Sequence, residues 1–251
     1  VSRSPAWPQG YALKAFDVID STNEEARRLA AAGERGPVWI SAERQTAGRG
    51  RRGRFWESPT GNLAATLLLS PARPASECAQ LSFVAALAVS DVVARYAPAA
   101  DVKLKWPNDV LADARKIAGI LLESASTGGE QPAWLAIGIG VNLRHFPPGT
   151  EFPATSLAAL AAATPGPQEA LAALAGAFAK WYEVWVAQGF APIRDSWLAR
   201  AAGLGTRIRA RLQNEETSGV FEGIDETGAL LLREAQDRVR KIAAGEVFFA
   251  S

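Results

Sequence analysis

The chain has 251 residues, is 48% hydrophobic, and carries 27 Lys+Arg against 26 Asp+Glu, a formal charge of +1 at pH 7. That balance argues against attachment to nucleic acid by a global positive field, and the length supports one large domain or one with a small companion. A single cysteine, Cys78, excludes an intramolecular disulfide framework and a cysteine-built zinc site. A single histidine, His145, leaves Ser-His-Asp chemistry and histidine-rich metal sites little to work with.

The N-terminal VSRSPAWPQG has no apolar signal-like run, and no segment reaches ~18 unbroken apolar residues. A cytoplasmic protein without a membrane partner is expected. FDVIDSTNEEARRLAAAGERG predicts a short strand, a helix and a stop. Ser21 or Thr22 is the N-cap, Glu24 or Glu25 completes a capping box, and Gly33 ends the Ala-rich run. VWISAERQ then reads as a strand, and NLAATLLLS, between Gly61 and Pro71, as a buried one.

Between these strands lies QTAGRGRRGRFWESPTGN, in which four arginines and three glycines fill positions 48 to 54. Such a run is either a disordered nucleic-acid-binding segment or an ordered loop that closes over a phosphate-bearing small molecule. Two flanking core strands favour the loop. Downstream, Leu81, Val84, Leu87, Ala88 and Val92 share one face of a core-packing helix. DVKLKWPNDVLADARKIAGILLES and PAWLAIGIGVNL are strand-rich, with turns at Pro-Asn-Asp and at Asp113-Ala114. One long and one shorter helix follow over residues 167–201, with Leu171, Leu174, Phe178, Trp181 and Trp185 at helical spacing. From about Gly203 the text becomes short alternating strands, enough for a small barrel, so a unit over 1–203 and a second over 204–251 are expected. In TRIRARL, Arg207, Arg209 and Arg211 share a strand face, which a half-buried strand with a solvated side explains.

Four polar clusters stand in apolar company: DSTN, the Arg/Gly loop, KWPND with RKIAG, and GIGVN. Together they supply glycines for close backbone approach, arginines for bidentate oxyanion contacts, a lysine point charge, and an acid for a metal ion or an incoming amine. In order and spacing, DSTNEEA, ERQTAGRGRRGRFWESPTGNLAATLLL, KWPNDVL, RKIAGILLE and GIGVNL resemble the biotin–protein ligases, over residues 20 to 143.

The resemblance implies an α+β protein: an SH2-like, class II synthetase-like mixed-sheet catalytic domain and a small SH3-like C-terminal β-barrel. It implies attack of the biotin carboxylate on the α-phosphate of ATP, with Mg²⁺, to give biotinyl-AMP and pyrophosphate. Transfer to a lysine of the biotin carboxyl carrier protein of acetyl-CoA carboxylase or a related carboxylase follows. Only 19 residues precede Asp20, so the ligase-only class, with no DNA-binding domain and no DNA partner, is expected, as monomer or homodimer. A lipoate–protein ligase or lipoyl/octanoyl transferase is the near alternative, and a nucleic-acid-binding protein the distant one.

By the same resemblance Ser21, Thr22 and Asn23 meet the biotin ureido ring, unless the first two only cap the helix. Gln45 lies against the ring system, and Gly48, Arg49, Gly50 and Arg51 contact ligand, with Gly48 and Gly53 as hinges. Arg51 holds the carboxylate and then the phosphate, while Arg52 and Arg54 are partly solvated and Arg54 is assigned to ATP. Trp56 closes over the adenine side or is a core tryptophan. Lys116 meets the carboxylate and the α-phosphate or is turn surface, and Gly119 leaves room beside it. Asn108 and Asp109 make a turn or lie near the triphosphate, its Mg²⁺ and the incoming amine. Asp109 is thus a candidate Mg²⁺ ligand and, with Arg51 and Lys116, a candidate catalytic residue. Asn142 lies near adenine or ribose.

Overall fold

The computed structural model describes residues 6–126 and 128–249, so the first five residues of the N-terminal segment and the last two of the second unit lie outside it. Seven strands form the larger sheet: β1 Ala12–Ile19, β2 Val38–Gln45, β3 Leu63–Leu69, β4 Val102–Lys105, β5 Asp109–Ala112, β6 Arg115–Ser126 and β7 Pro132–Val141. Their order is β1-β2-β3-β7-β6-β5-β4. Only β1 and β2 run parallel, because helix α1, Thr22–Ala31, connects them. All other neighbours are antiparallel.

The sheet has two unequal faces, set by side-chain alternation. On one, Trp39, Leu67, Ile137 and Ile139 join the main core with helices α3 Leu81–Tyr96, α4 Pro167–Gln188 and α5 Phe190–Leu198, α3 being preceded by the short α2, Ala75–Cys78. The other face meets α1 through a small cluster of Ala26, Ala30, Val38, Ile40, Leu68 and Ala136. Helix α3 is buried on nearly all sides, Phe83, Ala85, Ala86, Val89 and Val93 as well as the expected stripe. Residues 75–96 have the length and hydropathy of a membrane span, and 72% of that window is packed inside the protein.

The second sheet is wholly antiparallel: β8 Arg207–Arg211, β9 Glu216–Ile224, β10 Leu230–Arg233, β11 Val239–Ile242 and β12 Glu246–Phe249, in the order β11-β10-β9-β8-β12. It is not hung on a linker. Ile208, Ala210, Phe221 and Val247 belong to the same buried cluster as α3, Phe83 packs edge-on against Trp197, and Trp197 against Phe221. Trp106 Nε1, buried, donates to Gly228 O at 3.0 Å. The molecule is α+β, as the sequence implied.

One local expectation fails. Ser21 is the N-cap of α1, but its side chain caps nothing. Glu24 and Glu25 turn instead to Arg27 and Arg28, which stand one turn along the helix and offer them i,i+3 ion pairs.

Candidate functional site

A cavity of about 420 Å³ opens on the α1 face of the large sheet. Its floor follows from the GIGVN alternation. The isoleucines of β7 point into the main core, so Gly138 and Gly140 point up. A Cβ at Gly138 would lie 2.2 Å from Asn23 Oδ1, and one at Gly140 would lie 2.4 Å from the Trp56 ring. Gly119 on β6 pairs with Gly140 and continues the floor.

At one end stands a polar cluster built by α1. Ser21, Thr22 and Asn23 are buried at 4–5% exposure. Gln45 Oε1 accepts from Thr22 N at 2.8 Å and lies 3.1 Å from Thr22 Oγ1, while Gln45 Nε2 donates to Ser58 Oγ at 2.7 Å. Thr66 Oγ1 lies 2.6 Å from Asn23 Oδ1 and 2.8 Å from Thr22 Oγ1, and Asn23 Nδ2 donates to Glu123 at 2.7 Å. The Ser21 hydroxyl lines the cavity with no partner among the described residues.

The Arg/Gly segment is an ordered loop over this floor. Gly50 N donates to Arg54 O at 2.7 Å and Trp56 N to Gly48 O at 3.0 Å, around a single turn of 3₁₀ helix at Arg51–Gly53. Gly48 is a close-approach glycine, since a Cβ there would stand 2.3 Å from Trp56 O. The loop folds back on itself and lays the half-buried Trp56 ring on Gly119 and Gly140. Trp56 is therefore a cavity wall and not a core tryptophan.

The four arginines diverge. Arg49 is tied to Glu24 at 3.2 Å and Glu123 at 3.4 Å, at the polar end. Arg51 reaches inward, donating to Gly245 O at 3.1 Å and Asn108 Oδ1 at 3.4 Å. Burial lowers its pKa from the ordinary arginine value, against the pull of Asp109, and the guanidinium stays charged. Arg54 is ion-paired with Glu246 of β12. Arg52 is exposed, with φ 57.

The cationic end comes from the β4–β5 hairpin and the start of β6. Asp109 sits between two ammonium groups: Lys116 Nζ at 2.6 Å from Oδ1 and Lys105 Nζ at 3.4 Å from Oδ2. Burial works to raise the Asp109 pKa, but Lys116 and Lys105 outweigh it and hold the carboxyl below its usual range. Burial lowers the Lys105 pKa, with Asp109 opposing. Lys116 lies 5.4 Å from the Trp56 ring centroid, so it faces the cavity rather than a solvated turn. Asn108 Nδ2 donates to Ile120 O at 2.6 Å, which fixes the hairpin turn and leaves Oδ1 to Arg51. Asn142 also lines the cavity, but its Nδ2 donates to Thr155 O at 3.0 Å and pins the segment that follows β7.

The residues assigned to ligand or catalysis from the sequence line this one cavity, except Gly48, which is in the loop against the Trp56 backbone; Arg52 and the hinge Gly53 are exposed and outside it. Sequence reasoning missed Lys105, Gly138, Gly140, Thr66, Phe152, Gly245, Glu246 and Phe248. Lys105, Thr66 and the two glycines stood inside quoted motifs, while the others are brought in by the chain's return. The arginines of β8 serve the protein itself: Arg211 pairs with Glu151 and Glu216, and Arg209 and Arg211 lie over Phe248.

The model of the biotin/lipoate A/B protein ligase family matches residues 15–142, and that of the biotin protein ligase C-terminal domain matches residues 203–250. The chain is 50% identical over 237 residues to the biotin–[acetyl-CoA-carboxylase] ligase of Paracoccus denitrificans, covering 92% of this chain and 97% of the relative. It is 34% identical over 245 residues to a bifunctional ligase/repressor of Bacillus subtilis, covering 95% of this chain and 74% of the relative. Among solved structures, a biotin protein ligase from Aquifex aeolicus in complex with biotin and ATP superposes with a TM-score of 0.81 at 28% identity, covering 94% of this chain and 97% of that one.

Proposed function

The chain belongs to the biotin/lipoate A/B protein ligase family, and from that premise we propose that it is a biotin–protein ligase acting on a carboxylase carrier domain. The observation that carries this reading is the order of surfaces along the cavity. A buried hydroxyl and amide cluster at Thr22, Asn23 and Gln45 is followed by a glycine floor under Trp56, and then by Arg51 and Lys116. A ureido ring, an aliphatic chain and a carboxylate present that same sequence of chemistries. A dithiolane acid would offer the polar end neither N–H nor carbonyl, leaving the buried Ser21 hydroxyl without a partner.

In the first step a carboxylate oxygen of biotin attacks the α-phosphorus of ATP, and pyrophosphate leaves. In the second, the neutral amine of the carrier lysine attacks the acyl carbon, AMP leaves, and the amine's proton is released. Both steps gather negative charge on phosphate oxygens, so catalysis rests on positioning and charge stabilisation. Arg51 has no ion pair among the described residues and Lys116 shares its carboxylate, Asp109, with Lys105, so these two are the anion contacts. Arg49 and Arg54, each held by a carboxylate, reach nucleotide only by exchanging partners. Asn108 positions Arg51, and Trp56 closes the nucleotide side, with Asn142 beneath it.

Asp109 does not fit a resident Mg²⁺ site, because each oxygen already faces an ammonium. No group of three metal-ligating side chains occurs among the described residues. Mg²⁺ enters as the companion of ATP. The lowered pKa likewise makes Asp109 a weak base, and holding Lys116 and Lys105 is its better-supported role. The proposal includes a catalytic unit over 1–203, a C-terminal unit over 204–251 and a cytoplasmic setting.

The test is ATP–pyrophosphate exchange by the purified protein with biotin, with lipoate and with no acid. Exchange with biotin alone is expected. Exchange with lipoate would move the protein to the sister activity, and exchange with neither would refute the reading.

A further inference from the structure

Lys105 is a lysine at 6% exposure on the cavity wall. The β4–β5 hairpin sets it directly opposite Asp109, and a bulge between Val110 and Leu111 brings Lys116 to the same carboxylate. The segment after β7 pairs onto β6 at Lys116, through Lys116 N to Pro153 O at 2.7 Å and Thr155 N to Lys116 O at 2.9 Å. That pairing delivers Phe152 to 4.3 Å from Lys105 Nζ, and Phe248 of β12 stands at 5.7 Å. Among the described residues Asp109 is the one carboxylate within ion-pair distance of Lys105.

A buried ion pair of this kind is a poor route to stability, since an apolar residue of similar volume would fill an aromatic niche at no desolvation cost. Its charge arithmetic offers another reason for it. Lys105, Lys116 and Asp109 together carry one net positive charge. Lys116 and Asp109 are already paired at 2.6 Å, so without Lys105 the group would be neutral and the attraction of Lys116 for a substrate anion largely cancelled. The other charges facing the group are Arg51 and Arg54 from the loop above, the latter paired with Glu246 of β12.

Resting on the adenylation reading given above, we propose that Lys105 is a positioning residue for that half-reaction: by sharing Asp109 it leaves the charge of Lys116 available to the carboxylate and the α-phosphate. Phe152 and Phe248 hold its ammonium where this sharing is possible, so the C-terminal sheet contributes to the charge of the cavity through an aromatic ring.

The experiment is biotin-dependent ATP–pyrophosphate exchange, which needs no carrier, on the full chain. Lys105→Met fills the niche without the charge and is expected to lower kcat/KM for Mg–ATP by about 10- to 100-fold, chiefly through KM. Lys105→Arg retains most of the activity. The double variant Lys105→Met/Asp109→Asn restores one net positive charge and is expected to exceed Lys105→Met by at least about fivefold. A packing role would instead make the double variant no better than the poorer single one.

Activity of Lys105→Met within about twofold of wild type, or no recovery in the double variant, would overturn the proposal. Should Lys105→Met fail to fold, Lys105→Gln carries the same comparisons. A folded wild type without exchange removes the adenylation reading and this proposal together, whereas an active wild type with indifferent variants removes this proposal alone.

Discussion

Gly140→Ala places a methyl group 2.4 Å from Trp56 Cε2 and Nε1. The backbone has little freedom to yield, because β7 is paired on both sides, Gly140 with Ala64 of β3 and with Gly119 of β6. Trp56 belongs to a loop and must therefore be the group that moves. Half-burying a tryptophan removes about 100 Å² from water and contributes about 2.5 kcal/mol, and its contact with the Lys116 ammonium adds about 0.5 kcal/mol. Allowing for partial relaxation, the closed loop loses about 2 to 3 kcal/mol, a roughly 30- to 150-fold fall in its population relative to the open form. Arg49, Arg51, Arg52 and Arg54 make the loop its own reporter, since opening frees the backbone at four tryptic bonds to enter a protease site. Limited trypsinolysis within residues 48–56 should accelerate by about that factor, with the unfolding temperature changed by less than about 2 °C. Unchanged cleavage would show that Trp56 does not hold the loop down. A drop of many degrees without faster cleavage would show that the sheet, not the loop, absorbs the methyl.

Arg51→Gly should weaken retention of the adenylate about 10-fold or more, so that activated biotin labels lysines other than the carrier's; adenylate dissociation and the labelled-protein profile check it. Trp106→Phe leaves Gly228 O without its buried donor and should cost about 1 to 2 kcal/mol, read in chemical unfolding. Burial opposes ionisation of Asp225, but donation from Thr227, Lys241 and the Ala229 N–H outweighs it and brings its pKa down to about 2 from 3.8. Because the folded value is the lower one, the stabilisation is complete above about pH 4 and is lost as pH falls toward 2. Asp225→Asn should cost about 1 to 2 kcal/mol at neutral pH and flatten that acid limb in a pH series of unfolding curves.

What could be read from the sequence divides along physical lines. Strand β2 and strand β3 were legible because alternation and an unbroken apolar run are local signals, and the Asp113-Ala114 turn, with φ 49 and 59, closes β5 onto β6 where it was expected. The polar clusters were legible as chemistry out of place among apolar neighbours. The capping box expected at α1 does not form because Glu24 and Glu25 pair with Arg27 and Arg28, while the Thr22 side chain is taken by Gln45 and Thr66, 23 and 44 residues away. Lys105 stands in the KWPND cluster, but nothing local shows that Phe152 and Phe248 will cover it. Glycines 138 and 140 were visible as letters, but their purpose depends on where Trp56 comes to rest.

Gly245 accepts from Arg51, Glu246 pairs with Arg54, and Phe248 covers Lys105. During synthesis a ribosome releases these residues after every other piece of the cavity. The nascent chain can therefore assemble the glycine floor and the helix α1 cluster early, yet it lacks the parts that brace its arginine loop until β12 emerges. Competence to hold a reactive mixed anhydride thus arrives last, which ties the appearance of activity to translation having passed residue 248.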